Sequence, residues 1–385
     1  MRKGWEYKKL GEVCTIKAGY TPKKNELSDN GAYPYYKVAD MNTLGNDVYL
    51  DITSSYKIDA NKLFPKGAIV FPKNGAAVST NKKRILKYDS IVDLNTGVAI
   101  FSKSINEKFA YYWFIDTDFK KYVRGGALPT LDIKSLKDKP FPSIDKSTQL
   151  AIISELDKIN ELIRLKKEQL KDFDNLAQSL FYEMFGDPVE NEKGWEVKKL
   201  NDICDVRDGT HDSPKYLQNS EYILITSKNI VNGTIDFENV NYISEEDYIK
   251  INKRSKVDNG DIIMPMIGTI GNPIIAHIDG THKFCIKNVA LIKFLADSTV
   301  NNMFIVNLMR CSSFSSYLLN QNKGGTQKFV ALGAIRKLPI PLPPLSLQRL
   351  FAQRIEQIER EKSEVQKSIQ DLETLLASRM QYWFE

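Results

Sequence analysis

Residues 4–14 read GWEYKKLGEVC and residues 194–204 read GWEVKKLNDIC, so seven of eleven residues recur 190 positions later. The match continues in pieces. CTIKAGYTPKK (14–24) aligns with CDVRDGTHDSPKY (204–216), placing Lys17 with Arg207, Gly19 with Gly209 and Pro22-Lys23 with Pro214-Lys215. KGAIVFPKNG (66–75) faces NGDIIMPMIG (259–268) at an offset of 193, and GGALPTLDIKSLKDKPFPSIDKSTQ (125–149) faces GGTQKFVALGAIRKLPIPLPPLSLQ (324–348) at 199. An offset that drifts only where loops change length is the mark of a duplicated domain. Each copy opens as an alternating strand that runs into a Gly/Pro loop with a basic tip.

After each copy the pattern changes to a long helix. Ile152, Leu156, Ile159, Ile163, Leu170, Phe173, Ala177 and Leu180 keep the three-four spacing of a heptad seam that only Lys166 interrupts. Phe351, Ile355, Ile358, Val365, Ile369, Leu372 and Leu376 repeat it around Lys362. Leu150 is assigned to the first seam as well. Phe185-Gly186-Asp187-Pro188 is a stop signal: glycine takes the left-handed cap and proline cannot continue. A rod of roughly 57 Å with one apolar stripe must bury it, and its own duplicate is the fitting partner. The expectation is an antiparallel pair, with Lys166 and Lys362 meeting near its centre as a polar layer that sets register.

The four cysteines, Cys14, Cys204, Cys285 and Cys311, have no Cys-x-x-Cys spacing and are expected to be reduced. Cys14 and Cys204 share one repeat position, which reads as a small apolar contact. His277, His282 and Cys285 lack a fourth ligand, so no metal is expected. No apolar run approaches a membrane span, and nothing at the start resembles an export signal, so a cytoplasmic protein is expected. The formal charge of +6 permits an acidic partner without requiring one.

Taken together, the two GW-E-x-K-K-L starts, the DGTHDSPKY loop, the PIPLPPLSLQ entry to a helix and the alternating plan resemble the DNA-specificity subunits of type I restriction-modification systems. The resemblance covers essentially the whole chain. The first copy departs from it at PFPSIDKSTQ, which lacks the double proline, and at AGYTPKK, so the two domains are expected to read different sequences. The resemblance implies an α+β fold: two pseudo-twofold-related globular α/β target-recognition domains separated by two long antiparallel coiled-coil helices. Its parts would be recognition domain 1 (1–145), helix 1 (146–186), a linker (187–193), recognition domain 2 (194–344) and helix 2 (345–385).

It further implies a non-catalytic subunit that reads a bipartite site on double-stranded DNA. Such a subunit docks two methyltransferase subunits, which bring S-adenosylmethionine, and through them restriction subunits; it holds no cofactor of its own. The residues agree in having neither an Asn/Asp-Pro-Pro-aromatic motif nor a Gly-rich cofactor loop. The alternatives are a fused nuclease or methyltransferase, for which Asp187 with Glu196-x-Lys198 and Glu6-x-Lys8 are the only candidates, and a coiled-coil adaptor for proteins alone.

DNA contact needs Lys or Arg for phosphates and Arg, Lys, Asn or Gln for base edges. The candidates are Lys17, Lys23, Lys24, Lys73, Asn74, Lys82, Lys83 and Arg84 in the first copy. In the second they are Arg207, Thr210, His211, Lys215, Tyr216, Lys228, Asn229 and Lys253. The runs at 81–84 and 322–328 also read as flexible turns that touch nothing. Trp5 and Trp195 read as core anchors, and the aromatics of 181–185 and 381–385 read as a docking face for the methyltransferase.

Overall fold

The computed structural model describes every residue except 1, 3, 60–61, 126–127, 232, 269, 296–297 and 321–328. The basic run at 322–328 therefore lies outside the described residues. The chain divides into two compact units, Met1–Lys167 with Lys367–Glu385, and Glu168–Gln366. Each unit holds one copy of the repeat together with half of each long helix, so the units do not follow the boundaries between globular and helical sequence.

In the first unit β1 (Cys14–Ala18), β2 (Tyr49–Leu50), β3 (Ile69–Pro72), β4 (Arg84–Leu86) and β5 (Thr96–Phe101) form a sheet in the order β1-β5-β3-β4-β2. In the second, β6 (Cys204–Asp208), β7 (Ile262–Pro265), β8 (Ile274–Ile275) and β9 (Val289–Phe294) are ordered β6-β9-β7-β8. The first three positions correspond, and so does the register, with Cys14 opposite Phe101 and Cys204 opposite Phe294. The central strands, Ile-Val-Phe-Pro and Ile-Ile-Met-Pro, are buried at every position. Their prolines close the ladder because they have no N–H to give it. The opening strands Glu6–Lys9 and Glu196–Lys199 pair antiparallel with Pro140–Ser143 and Pro339–Leu342, the last strand before each long helix. Cys14 and Cys204 are buried, and burial pushes both thiols up to about 12, which leaves them protonated packing groups.

The long helices, α1 (Lys146–Phe185) and α2 (Leu345–Phe384), have 40 residues each. The helix that lacks the double proline starts on a carboxylate: Asp145 accepts from the Thr148 N–H at 2.9 Å, from the Thr148 hydroxyl at 2.6 Å and from Ser147. These hydrogen bonds hold the Asp145 carboxyl far below its ordinary range. In α2 the Pro344 carbonyl instead accepts from Leu347 N and Gln348 N, and proline's fixed φ suits a helix start. The α1 C-terminus turns at Gly186, whose φ is 77°, and the Trp195 indole donates to the Phe185 carbonyl at 2.9 Å.

Within each unit the two helix halves run in opposite directions. In the first, Glu155 pairs with Arg379 and Lys167 with Glu373, and Ile152 and Leu156 share a core with Met380 and Phe384. In the second, Phe181 packs edge-on to Phe351 at 5.6 Å and Asp174 binds Lys362 at 2.8 Å. The polar break at Lys362 is answered by Asp174 and Glu359. Leu150 is a correction: it is 50% exposed and lies off the seam.

The phenylalanines at the helix ends are core, which corrects the docking expectation for them, while Tyr382 is 49% exposed. Phe181 and Phe185 are buried with Phe304 and Phe351 in the second unit, and Phe384 packs on Phe109 in the first. Trp5 stacks on Trp383 at 6.0 Å, and the Arg2 guanidinium lies 4.4 Å from the Trp383 and Tyr382 ring centres. In each copy the opening tryptophan therefore seats the last turn of a long helix. Among the described residues no helix is long and apolar enough to cross a membrane.

Candidate nucleic-acid interface

At the end of β1 the chain leaves the sheet against another backbone. Gly19 N donates to the Thr96 carbonyl at 2.9 Å, and a Cβ on Gly19 would stand 2.1 Å from the Asp93 carbonyl oxygen. The loop that follows is held by Tyr20 N to the Val92 carbonyl and by Leu94 N to Thr21 Oγ1. Lys73 N donates to the Asn95 carbonyl at 2.8 Å, Leu131 N donates to the Lys73 carbonyl at 2.9 Å, and Asn74 bridges Thr130. The loops after β1 and β3, the turn before β5 and residues 129–131 thus converge on one sheet edge. Lys17, Lys23 and Lys24 are exposed there, with Lys73 and Asn74 half-buried beside them.

The 82–84 run behaves differently. Lys83 is fully buried: its ammonium donates to the Thr117 carbonyl at 2.7 Å and to Asn81 Oδ1 at 2.6 Å, and lies 4.1 Å from the Phe119 ring centre. Burial pulls its pKa down to about 7. The Arg84 guanidinium donates to the carbonyls of Lys83 at 2.7 Å, Met41 at 2.8 Å and Asn46. Both are corrections, since these donors are spent on the protein's own backbone. Lys82 reaches the Asn42 side chain.

The second unit repeats the edge with other side chains. Gly209 N donates to the Val289 carbonyl at 3.0 Å, Asn288 N to the Thr210 carbonyl at 3.2 Å and Val330 N to the Met266 carbonyl at 3.0 Å, and Ile267 bridges Phe329. His211 is held at both ring nitrogens, with Asp208 Oδ2 2.8 Å from Nε2 and the side-chain amide of Asn288 3.0 Å from Nδ1. Only 8% of the Asp208 side chain is exposed, and it also binds Arg254. Arg207 pairs with Asp205, whose hydrogen bond raises the guanidinium pKa above its ordinary value, and donates to the Arg254 carbonyl at 3.0 Å. Thr210 Oγ1 accepts from Asp212 N at 3.1 Å. Lys215, Tyr216, Lys228 and Lys253 are exposed. Asn229 is a correction: it is 3% exposed and staples its loop through Thr226 N at 3.0 Å and the Asn239 carbonyl at 2.9 Å.

Three edge residues escaped the sequence reading. Arg254 follows the candidate Lys253 at the end of the helix Glu245–Ser255. Asn95 and Asn288 stand at the heads of β5 and β9, at equivalent places. Their recurrence at the offset of 193 already shared by KGAIVFPKNG and NGDIIMPMIG was the available signal. The carboxylates considered for catalysis do not form a cluster. Asp187 Oδ1 accepts from Val189 N at 2.8 Å, and Glu196 pairs with Lys198 at 3.4 Å on the surface.

Two sheets that share the order of their first three strands, each with a loop edge carrying exposed lysines, define a protein built from two copies of one domain. The model of the type I restriction modification DNA specificity domain matches residues 2–172 and again 192–374, and the chain belongs to that family. It is 23% identical to the type I restriction enzyme MjaVIII specificity subunit of Methanocaldococcus jannaschii, with 97% of this chain and 92% of that one covered. It is 25% identical to the MjaIX specificity subunit of the same organism over 63% of this chain, a match that spans 62% of that relative. Among solved structures, one described as the structural basis of complex assembly and conformational transition of the type I R-M system matches at a TM-score of 0.63 and 17% identity, covering 100% and 98% of the two chains. The S subunit of a type I restriction-modification system from M. genitalium matches at 0.52 and 13%, covering 99% and 96%. These two likenesses establish a shared fold.

Proposed function

We propose that this chain is the DNA-reading subunit of a type I restriction-modification complex, without catalysis of its own. Each recognition domain reads one half of a bipartite duplex target through the loop edge at the end of β1 or β6. The helices α1 and α2 set the unread spacer and dock two methyltransferase subunits, which carry S-adenosylmethionine and through which restriction subunits join. The reading rests on one observation above the rest: the two edges share backbone connections and differ in side chains, as two readers of different sequences should. Exposed lysines flank each edge and suit phosphates.

The experiment is a domain exchange followed by mapping of methylated adenines in cells. Replacing residues 1–145 with the corresponding domain of a relative should change one half of the methylated sequence and leave the other half and the spacer intact. A target unchanged in both halves would remove the assignment. Purified chain with DNA, magnesium and S-adenosylmethionine should neither cut nor methylate.

A further inference from the structure

The two edges are built on one frame, and the difference in what fills it indicates a ligand. Where the first edge carries Thr21, Lys73, Asn74 and Thr130, the second carries His211, Met266, Ile267 and Phe329. The polar set has become an apolar one with a histidine at its rim. Between these side chains of the second edge lies a cavity of about 220 Å³, walled by Met266, Ile267, Phe329 and Leu332 and rimmed by His211 and Asn288. Phe329 is 40% exposed, so an apolar wall of the cavity faces solvent.

The rim is preorganised. Asp208, nearly buried, fixes the imidazole from one side, and Asn288 Oδ1 meets it at 3.0 Å from the other. In either tautomer of His211 the Asn288 amide, with two Nδ2 hydrogens, keeps at least one of them to donate. Arg254, on the same carboxylate, and the exposed Lys215 provide cationic flanks.

An apolar recess beside a fixed amide donor matches one base edge in the major groove. Thymine presents a C5-methyl group next to the O4 acceptor, whereas cytosine has only a hydrogen at C5 beside an N4 donor and the purines present no methyl group there. We propose that this cavity seats a thymine methyl group, with Asn288 donating to O4, so that the second domain demands an A·T pair at one position of its half-site. In the first domain Lys73 and Asn74 occupy the equivalent place and leave no apolar seat. The proposal rests on the DNA-reading function above and adds which base the second edge selects.

The test uses the full chain assembled with its methyltransferase subunits, on a duplex carrying the target mapped in cells. Each thymine of the second half-site is replaced in turn by deoxyuridine, which removes the methyl group and nothing else. At one position binding should weaken about fourfold, the loss expected for one buried methyl group. Phe329→Ala should bring that thymine-to-deoxyuridine ratio close to one, while its thermal unfolding and its assembly with the methyltransferase subunits match the parent and so show that the variant is folded. A second half-site without an A·T pair, deoxyuridine tolerated at every position, or a fourfold ratio that survives Phe329→Ala would each overturn the proposal. Failure of the complex to recognise any bipartite sequence is a different result, and it would remove the DNA-reading assignment itself.

Discussion

Gln149 Oε1 accepts the backbone N–H of Asn106 at 2.8 Å, which ties the first turn of α1 to the N-cap of the helix Glu107–Asp116. Gln348 does the same for Asn301 at 2.9 Å, at the N-cap of Asn302–Arg310. Both glutamines are fully buried, and their amides also donate to two carbonyls each: Ser104 and Ile144 in the first copy, Thr299 and Pro343 in the second. The recognition domain and its long helix are therefore joined by a satisfied buried amide, the kind of joint that carries a fixed orientation. Gln149→Leu or Gln348→Leu would orphan one N–H and two carbonyls, and should destabilise the protein by roughly 2–4 kcal/mol in urea unfolding. A loss below the error of that measurement would show that the joint contributes nothing.

The repeated loop glycines are a steric requirement. A Cβ at Gly19 would lie 2.1 Å from the Asp93 carbonyl oxygen, and one at Gly209 would lie 2.4 Å from that of Ile286. Both obstacles are backbone, so relief requires the strand end to move. Gly19→Ala and Gly209→Ala should each cost about 1–3 kcal/mol by thermal unfolding, whereas Gly333→Ala, where no atom lies within 4 Å, should not.

Lys83 gives the protein a distinct alkaline response. Its ordinary pKa of 10.5 is brought to about 7 by burial, against the pull of Asp118 and Asp116 and with some help from Lys139. Between those two values the unfolded chain holds a proton that the folded chain has lost, so this group makes stability rise with pH, by at most about 1.4 kcal/mol per pH unit. Below about pH 7 lysine is charged in both states and the full desolvation cost remains. Lys83→Met should therefore gain most over the parent at pH 6 and progressively less toward pH 10 in matched melting series. A gain independent of pH would mean that the ammonium stays charged in the fold.

The same residue separates buried from functional cations. Lys23→Ala and Lys24→Ala remove exposed charges from the reading edge and should each reduce the slope of log affinity against log salt by about one. Lys83→Met should leave that slope unchanged. A slope that responds to Lys83 and ignores Lys23 and Lys24 would place the DNA elsewhere on the domain.

Features carried by repetition and period were legible in the sequence. The heptad seams, the glycine-proline stop after Phe185 and the corresponding strands that begin at Cys14 and Cys204 each leave a local signature. What stayed hidden depends on contacts between segments far apart in the chain. Lys83 sits in NKKR, which reads as an exposed basic turn, and only the fold shows the Thr117 carbonyl 34 positions away claiming its ammonium. Asn229 looks like a base reader for a different reason: its partners Thr226 and Asn239 lie within ten positions, but only the folded loop turns the side chain inward to them. The phenylalanines of 181–185 read as surplus because their partners, Phe304 and Phe351, lie more than a hundred residues away. Asn95 and Asn288 do leave a signature, since they recur at the repeat offset of 193.

With Phe181, Phe185 and Phe384 in the core, exposed apolar residues along the helices offer a further surface to the methyltransferase. Leu176 and Leu375 are separated by 199 residues, the repeat offset at the helices, and are 51% and 45% exposed. Each lies beside the seam, next to Ala177 in one helix and Leu376 in the other. An apolar residue kept exposed at the same position of both copies is what two identical partners would require, one for each half of the chain. Leu176→Glu and Leu375→Glu should leave stability within about 0.5 kcal/mol, as surface changes do. Each should remove one methyltransferase copy from the purified complex, and the double variant both, as read by native mass. Complexes that keep both copies in the double variant would move the dock to another face of the helices.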